Sequence, residues 1–203
     1  MWKKDHFASG PLPRSMTLFE QATQADVNQD LRATVQLYEQ CAQTDTLAIR
    51  EAALLNLLLI YWDCTFDYGV YCGLLADGFT ELELAHMYQR KNEIQQVLAA
   101  APFPSYEARF WGSYIREEES YGKESAQAIV AQLQHECPEE PLAAYYVVDR
   151  AAPRVADPSS AGAPPWALAQ LEQLQAGLAR APQTYKTRLI LNHIASMLQF
   201  HRL

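Results

Sequence analysis

Apolar side chains recur at three- and four-residue intervals from residue 15 onward, the spacing of one face of an α-helix. Ser15 is placed to cap a first helix carrying Leu18, Phe19, Ala22 and Ala25 on one side. Asn28 to Asp30 makes a turn, and Leu31, Val35, Tyr38 and Ala42 mark a second helix. A third is predicted from Leu47 to Asp63. Its segment Ala52 to Trp62 is apolar almost without a break, the pattern of a helix buried on several sides. Asp67-Tyr68-Gly69 reads as a turn into a further helix. Gly69, Gly73 and Gly78 make that helix short and irregular, or let another backbone come close.

Farther on, Glu81 to Ala101 is predicted as a long helix stopped by Pro102 and Pro104. Ser105 to Tyr121 and Lys123 to Glu136 form a hairpin around Gly122, closed by Pro138, and Leu142 to Arg150 adds a short helix. Two more helices, Trp166 to Ala181 and Thr184 to Phe200, close the chain. The organisation expected is a flexible lead over 1–14, a helical body over 15–150, a Pro-rich loop over 151–165 and a C-terminal hairpin over 166–203. Two helices alone rarely sustain a core, so that hairpin is expected to pack on the body. The fold class is all-α, with antiparallel helical hairpins stacked side by side.

Composition narrows the partners more than the fold. The 203 residues suit one domain, and 49% apolar with 20% charged residues is ordinary for a globular protein. A formal charge of −8 argues against nucleic acid or an anionic membrane, which need a concentrated basic surface. Arg109, Arg116 and Arg150 can still gather on a local basic face. The longest apolar run has 11 residues and contains Asn56, against about 20 for a bilayer span. Cys41, Cys64, Cys72 and Cys137 form no C-x-x-C pair and read as small core residues in a reducing compartment. Met1 to His6 has no apolar segment behind it, so no secretory signal is expected and the cytoplasm is the expected location.

Thr34, Tyr38 and Cys41, at spacings of four and three, precede the turn Thr44-Asp45-Thr46 and the run from Ala52 to Trp62. This order resembles the second helix of one tetratricopeptide repeat running into the first helix of the next. The likeness is clearest over residues 33–62 and fades on either side; Leu58 stands where the family has a small residue. The resemblance implies a short, irregular α-α superhelix serving as a docking surface for a peptide or partner protein. It also matches Asn56 to an asparagine that binds peptide in some family members. The plainer role for Asn56 is to satisfy buried backbone groups.

The densest aromatic cluster is Tyr61, Trp62, Asp63, Phe66, Asp67 and Tyr68, followed by Tyr71. Aromatic rings interleaved with carboxylates suit a cationic or peptide ligand; the same rings also suit the buried end of a helix. Other constellations carry less. Glu83 and His86 have di-iron spacing, but the second such pair is missing. Asp26-Val27-Asn28-Gln29-Asp30 opens like a calcium loop, yet Leu31 and Leu37 replace its Gly and Glu. His135-Glu136-Cys137 is adjacency in sequence, not catalytic geometry. Glu117-Glu118-Glu119 reads as a solvated face. No metal site and no cofactor are expected. The leading expectation is a non-enzymatic module that binds a protein or peptide, of adaptor, regulatory or inhibitor/immunity type. The alternative is a small-molecule sensor with a pocket near residues 61–78, lined by the glycines and closed by the aromatics. A helical enzyme whose His86 or His135 meets a carboxylate is the third.

Overall fold

A computed structural model describes residues 16–100, 105–151 and 162–200. The lead over 1–14, the Ser15 cap, Pro102, Pro104 and most of the Pro-rich segment lie outside the described residues. Within them the chain is helical throughout and has no strand. The order is α1 (Leu18–Val27), α2 (Leu31–Cys41), α3 (Leu47–Phe66), α4 (Tyr68–Ala76) and α5 (Glu81–Ala99), then α6 (Tyr106–Glu119), α7 (Gln127–Glu136), α8 (Leu142–Ala151), α9 (Pro165–Leu178) and α10 (Tyr185–Phe200).

Local chemistry sets the helix starts. Thr17, not the expected Ser15, caps α1: its hydroxyl accepts the Glu20 N–H, and Glu20 reaches back to the Thr17 backbone N–H and closes a capping box. Thr80 and Glu83 repeat the device at α5. Asp30, Asp67 and Ser105 cap α2, α4 and α6 through their side-chain oxygens. Gly122, at φ 77°, turns the chain after α6, with its N–H on the Glu117 carbonyl.

Sequence neighbours pack on one another from α1 to α3 and again from α5 to α10, while α3 also packs directly on α5. Helix α3 is the centre: it touches α2, α4, α5, α6 and α10. That explains its unbroken burial from Ala53 to Tyr61, for an all-round apolar helix needs neighbours on every side. Each buried leucine there contributes roughly 1.5–3 kcal/mol of transfer free energy.

The chain end returns to the middle of this stack. Helix α10 packs on α3, α8 and α9. Its polar residues reach farther still: the Tyr185 backbone N–H and the Arg188 guanidinium meet Asp26 at the end of α1, and Lys186 meets Glu107 on α6 at 2.9 Å. Carboxylates on α1, α3, α6 and α8 thus all engage groups of α10.

Three expectations are corrected. Glu117-Glu118-Glu119 is not a solvated face. Glu117 is buried and accepts the Ala126 N–H and the Tyr146 hydroxyl, while Glu118 pairs with Arg150 and Glu119 with the fully buried Lys91. Cys72 is exposed and Cys137 half-buried, so only Cys41 and Cys64 belong to the core. The glycines do not admit a second backbone either: a Cβ on Gly73 or Gly78 would meet nothing within 4 Å.

Candidate functional site: an acidic aromatic recess

Where α3, α6, α8 and α10 meet, the surface sinks into a recess of about 350 Å³. Helix α3 contributes Trp62, Asp63 and Phe66, with Asp67 just beyond its end. Helix α6 adds Trp111, Tyr114 and Glu118 at three- and four-residue steps, which align on one face. Tyr145 and Asp149, one turn apart on α8, and Leu189, Asn192, His193 and Ser196 on α10 complete the lining.

The rings are fixed by one another. Trp62 stacks on Phe66 with centroids 5.5 Å apart and meets Tyr114 edge-on at 6.1 Å. Tyr114, Trp111 and Tyr145 stand mutually edge-to-face at 5.6–5.7 Å. Such contacts are worth about 0.5–1.5 kcal/mol each beyond area burial. Two donors stay unsatisfied: the indole N–H groups of Trp62 and Trp111 are buried with no hydrogen-bond partner. Trp111 is 1% exposed, and an unpaired buried donor carries a desolvation cost.

Carboxylates enter from α3, α6 and α8. Asp63 accepts the Tyr185 hydroxyl at 2.6 Å. Burial holds its carboxyl above the usual range, against the lowering effect of that bond, and the nearby charge of Asp67 pushes the same way as burial. Asp149 accepts from Tyr114 at 3.3 Å and faces His193 Nε2 at 3.3 Å, while His193 Nδ1 meets the Tyr145 hydroxyl. Arg150 lies against Glu117, Glu118 and Asp149. The lining itself holds four carboxylates and no Lys or Arg.

Tyr114, Tyr145 and Tyr185 are pushed up by burial and by neighbouring groups, so they act as neutral donors. Cys64, behind the recess, is pushed up to about 12 by burial and is no thiolate nucleophile. Both nitrogens of His193 are engaged.

The aromatic cluster expected from the sequence does not stay together. Trp62, Asp63, Phe66 and Asp67 reach the recess. Tyr61 is buried on a different side of α3, where its hydroxyl donates to Glu39 at 3.0 Å. It lines a separate cavity of about 890 Å³ between α2 and α5, whose charges pair internally through Glu39–Arg90 and Arg32–Glu83. Tyr68 is 80% exposed, Tyr71 is half-buried against the core and Asn56 is buried. A helix advances about 100° per residue, so consecutive ring-bearing positions face different neighbours. Gly69, Gly73 and Gly78 line neither cavity. Glu83 pairs with Arg32 and with Thr80, while its helix neighbour His86 lines the α2–α5 cavity.

Sequence reasoning missed Trp111, Tyr114, Glu118, Tyr145, Asp149 and His193. The helical spacing of the aromatic and acidic residues at 111, 114 and 118 and at 145 and 149 was a signal of shared faces, but nothing in the sequence joined those faces to residue 62. Asp26, noted in the sequence only as the start of a calcium-loop-like run, is buried and anchors α10. Comparison with protein-family models, characterised proteins and solved structures gives no match.

Proposed function

We propose that this chain is a non-enzymatic helical module that binds a protein or peptide partner, and that the recess takes a basic side chain of that partner. The supporting observation is convergence: four carboxylates and five aromatic rings from three helices surround one open cavity with no Lys or Arg in its wall. Arg150 already pairs Glu118 and Asp149 from outside the lining, so a cation gains there from the ring faces together with the acidic rim of Asp63 and Asp67. Trp62, Asp63, Phe66 and Asp67 form one rim, and their exposure rises from half-buried Trp62 and Asp63 to exposed Phe66 and Asp67, so a partner reaches them directly. The likeness of residues 33–62 to tetratricopeptide repeats favours the same role. It makes the body a short repeat-like stack with α10 laid against four of its helices. Adaptor, regulator and inhibitor roles all fall within this reading.

Four unpaired cysteines favour a cytoplasmic setting, and the acidic charge disfavours nucleic acid. No helix among the described residues is long and apolar enough to cross a membrane. The test is affinity purification with the full chain and with Asp67→Lys, which reverses charge at an exposed rim position. A partner recovered by the first and lost by the second supports the reading; equal recovery, or none, opposes it. A second reading has the recess hold a free small organic cation, and its volume, near the lower end for small-molecule sites, is the observation behind it. A melting-temperature shift with alkylamines but not with basic peptides separates the two.

A further inference from the structure

Helix α6 presents a second face that the recess does not use. Trp111, Tyr114 and Glu118 line the recess, whereas Ala108, Gly112 and Arg116, on the i, i+4, i+8 stripe about a third of a turn away, border a different cleft. This cleft, of about 690 Å³, runs between α5 and α6 with Ile129 of α7 at one side. Its chemistry is unusual for a seam between two packed helices, which is ordinarily apolar.

On α5 the wall is a row of amides, Asn92, Gln95 and Gln96, and on α6 it holds Ser113, Arg109 and Arg116. The lining includes two arginines and no Asp or Glu, on a chain whose formal charge is −8. The cleft is open at Gly112, where a Cβ would meet nothing within 4 Å. Two groups are left over. The Gln95 side-chain N–H₂ is buried with no hydrogen-bond partner. Arg116 donates from Nε to the Gly112 carbonyl at 3.0 Å, which folds its guanidinium back along α6, and it has no carboxylate partner among the described residues. Arg109, by contrast, is paired with Glu136 at 2.6 Å.

We infer that the α5–α6 cleft is a binding site for an extended peptide segment carrying a carboxylate side chain, held at Arg116 and along the amide row. Side-chain amides both donate and accept, which matches the alternating N–H and C=O groups of an extended backbone. From Ala108 to Arg116 a helix rises about 12 Å, the span of three to four extended residues. A guanidinium with free N–H groups pairs a carboxylate in two-point geometry. The site is independent of the recess on the other side of α6.

The experiment is selection of a displayed library of random nine-residue peptides on the full chain, followed by affinity measurements on the enriched sequences. Enriched peptides are expected to share an Asp or Glu. Changing that residue to its amide should weaken binding to the wild-type chain about tenfold or more, yet change nothing in Arg116→Gln, which already lacks the charge. Gly112→Leu fills the cleft from an open position and should abolish binding while keeping or raising Tm. An enriched set without carboxylates, binding untouched by both variants, or no enrichment at all would overturn the inference. If Gly112→Leu lowers Tm, the Arg116→Gln cycle decides alone.

Discussion

Tyr185, the first residue of α10, donates its phenolic O–H to Asp63 on α3 at 2.6 Å, joining positions 122 residues apart. The same residue's backbone N–H is taken by Asp26 on α1. One residue therefore ties the end of the chain to two separate helices of its first third, and it stands directly behind the recess. Tyr185→Phe keeps the ring and removes the bond, leaving Asp63 without its donor. A loss of about 1–3 kcal/mol is expected by urea denaturation. A change within error would mean that packing alone holds α10.

The acid side of that anchor has its own pH signature. Asp26 is held above the usual carboxylate range by burial, against the lowering effects of the Tyr185 N–H, Arg188, Tyr38 and Lys186. Its folded-state value exceeds the unfolded one, so the folded protein binds this proton more tightly. The contribution to stability is full below the unfolded value and is lost as pH rises through the folded value. Asp63 shifts the same way, burial again being the main cause. Between pH 7 and 4 the wild-type chain should therefore gain stability relative to Asp26→Asn, which has no proton to take up. Parallel stability curves for the two proteins would contradict this.

Lys91 is fully buried and meets Glu119, with its ammonium 4.5 Å from the centroid of the Tyr88 ring. Removing one partner of such a pair strands the other. Glu119→Ala should cost about 3–5 kcal/mol, whereas Lys91→Met, which replaces the charge by apolar volume, should fall within about 1 kcal/mol of neutral or stabilise. Thermal unfolding of both variants checks the asymmetry; equal losses would refute it.

Helix α4 offers a simpler test. Gly73 lies inside it, and an added Cβ there meets nothing. Gly73→Ala should raise stability by about 0.5–1 kcal/mol by restricting the unfolded chain and favouring helix. A decrease would show that the position is covered by something not visible in its contacts.

Most of the helices were legible from apolar spacing because periodicity reports burial directly. The run from Ala52 to Trp62 predicted a helix buried on several sides, and α3, buried without a break from Ala53 to Tyr61, touches five others. The ends were less legible. Helix α3 extends three residues past the predicted Asp63, to Phe66, because Asp67 both closes it and caps α4. The aromatic and acidic runs were misread for one reason. A run in sequence is not a patch on a helix, so Glu117 turns to Tyr146 on α8 while Glu119 turns to Lys91 on α5. Likewise Tyr61 and Trp62 separate to different cavities. Nine of the thirteen lining residues lie on α6, α8 and α10, whose meeting with α3 depends on long-range pairs that local patterns do not encode.

The chain has four tryptophans, and two of them, Trp62 and Trp111, line the recess with unpaired indole N–H groups. Indole ¹H–¹⁵N resonances followed through a titration with a short arginine-containing peptide therefore read out the proposed site by residue. Saturable shifts at Trp62 and Trp111, absent at Trp2 and Trp166 and lost in Asp67→Lys, are the predicted result. Unmoved indoles at Trp62 and Trp111 in the presence of basic peptides, or equal movement of all four, would contradict the recess as a site for a basic side chain.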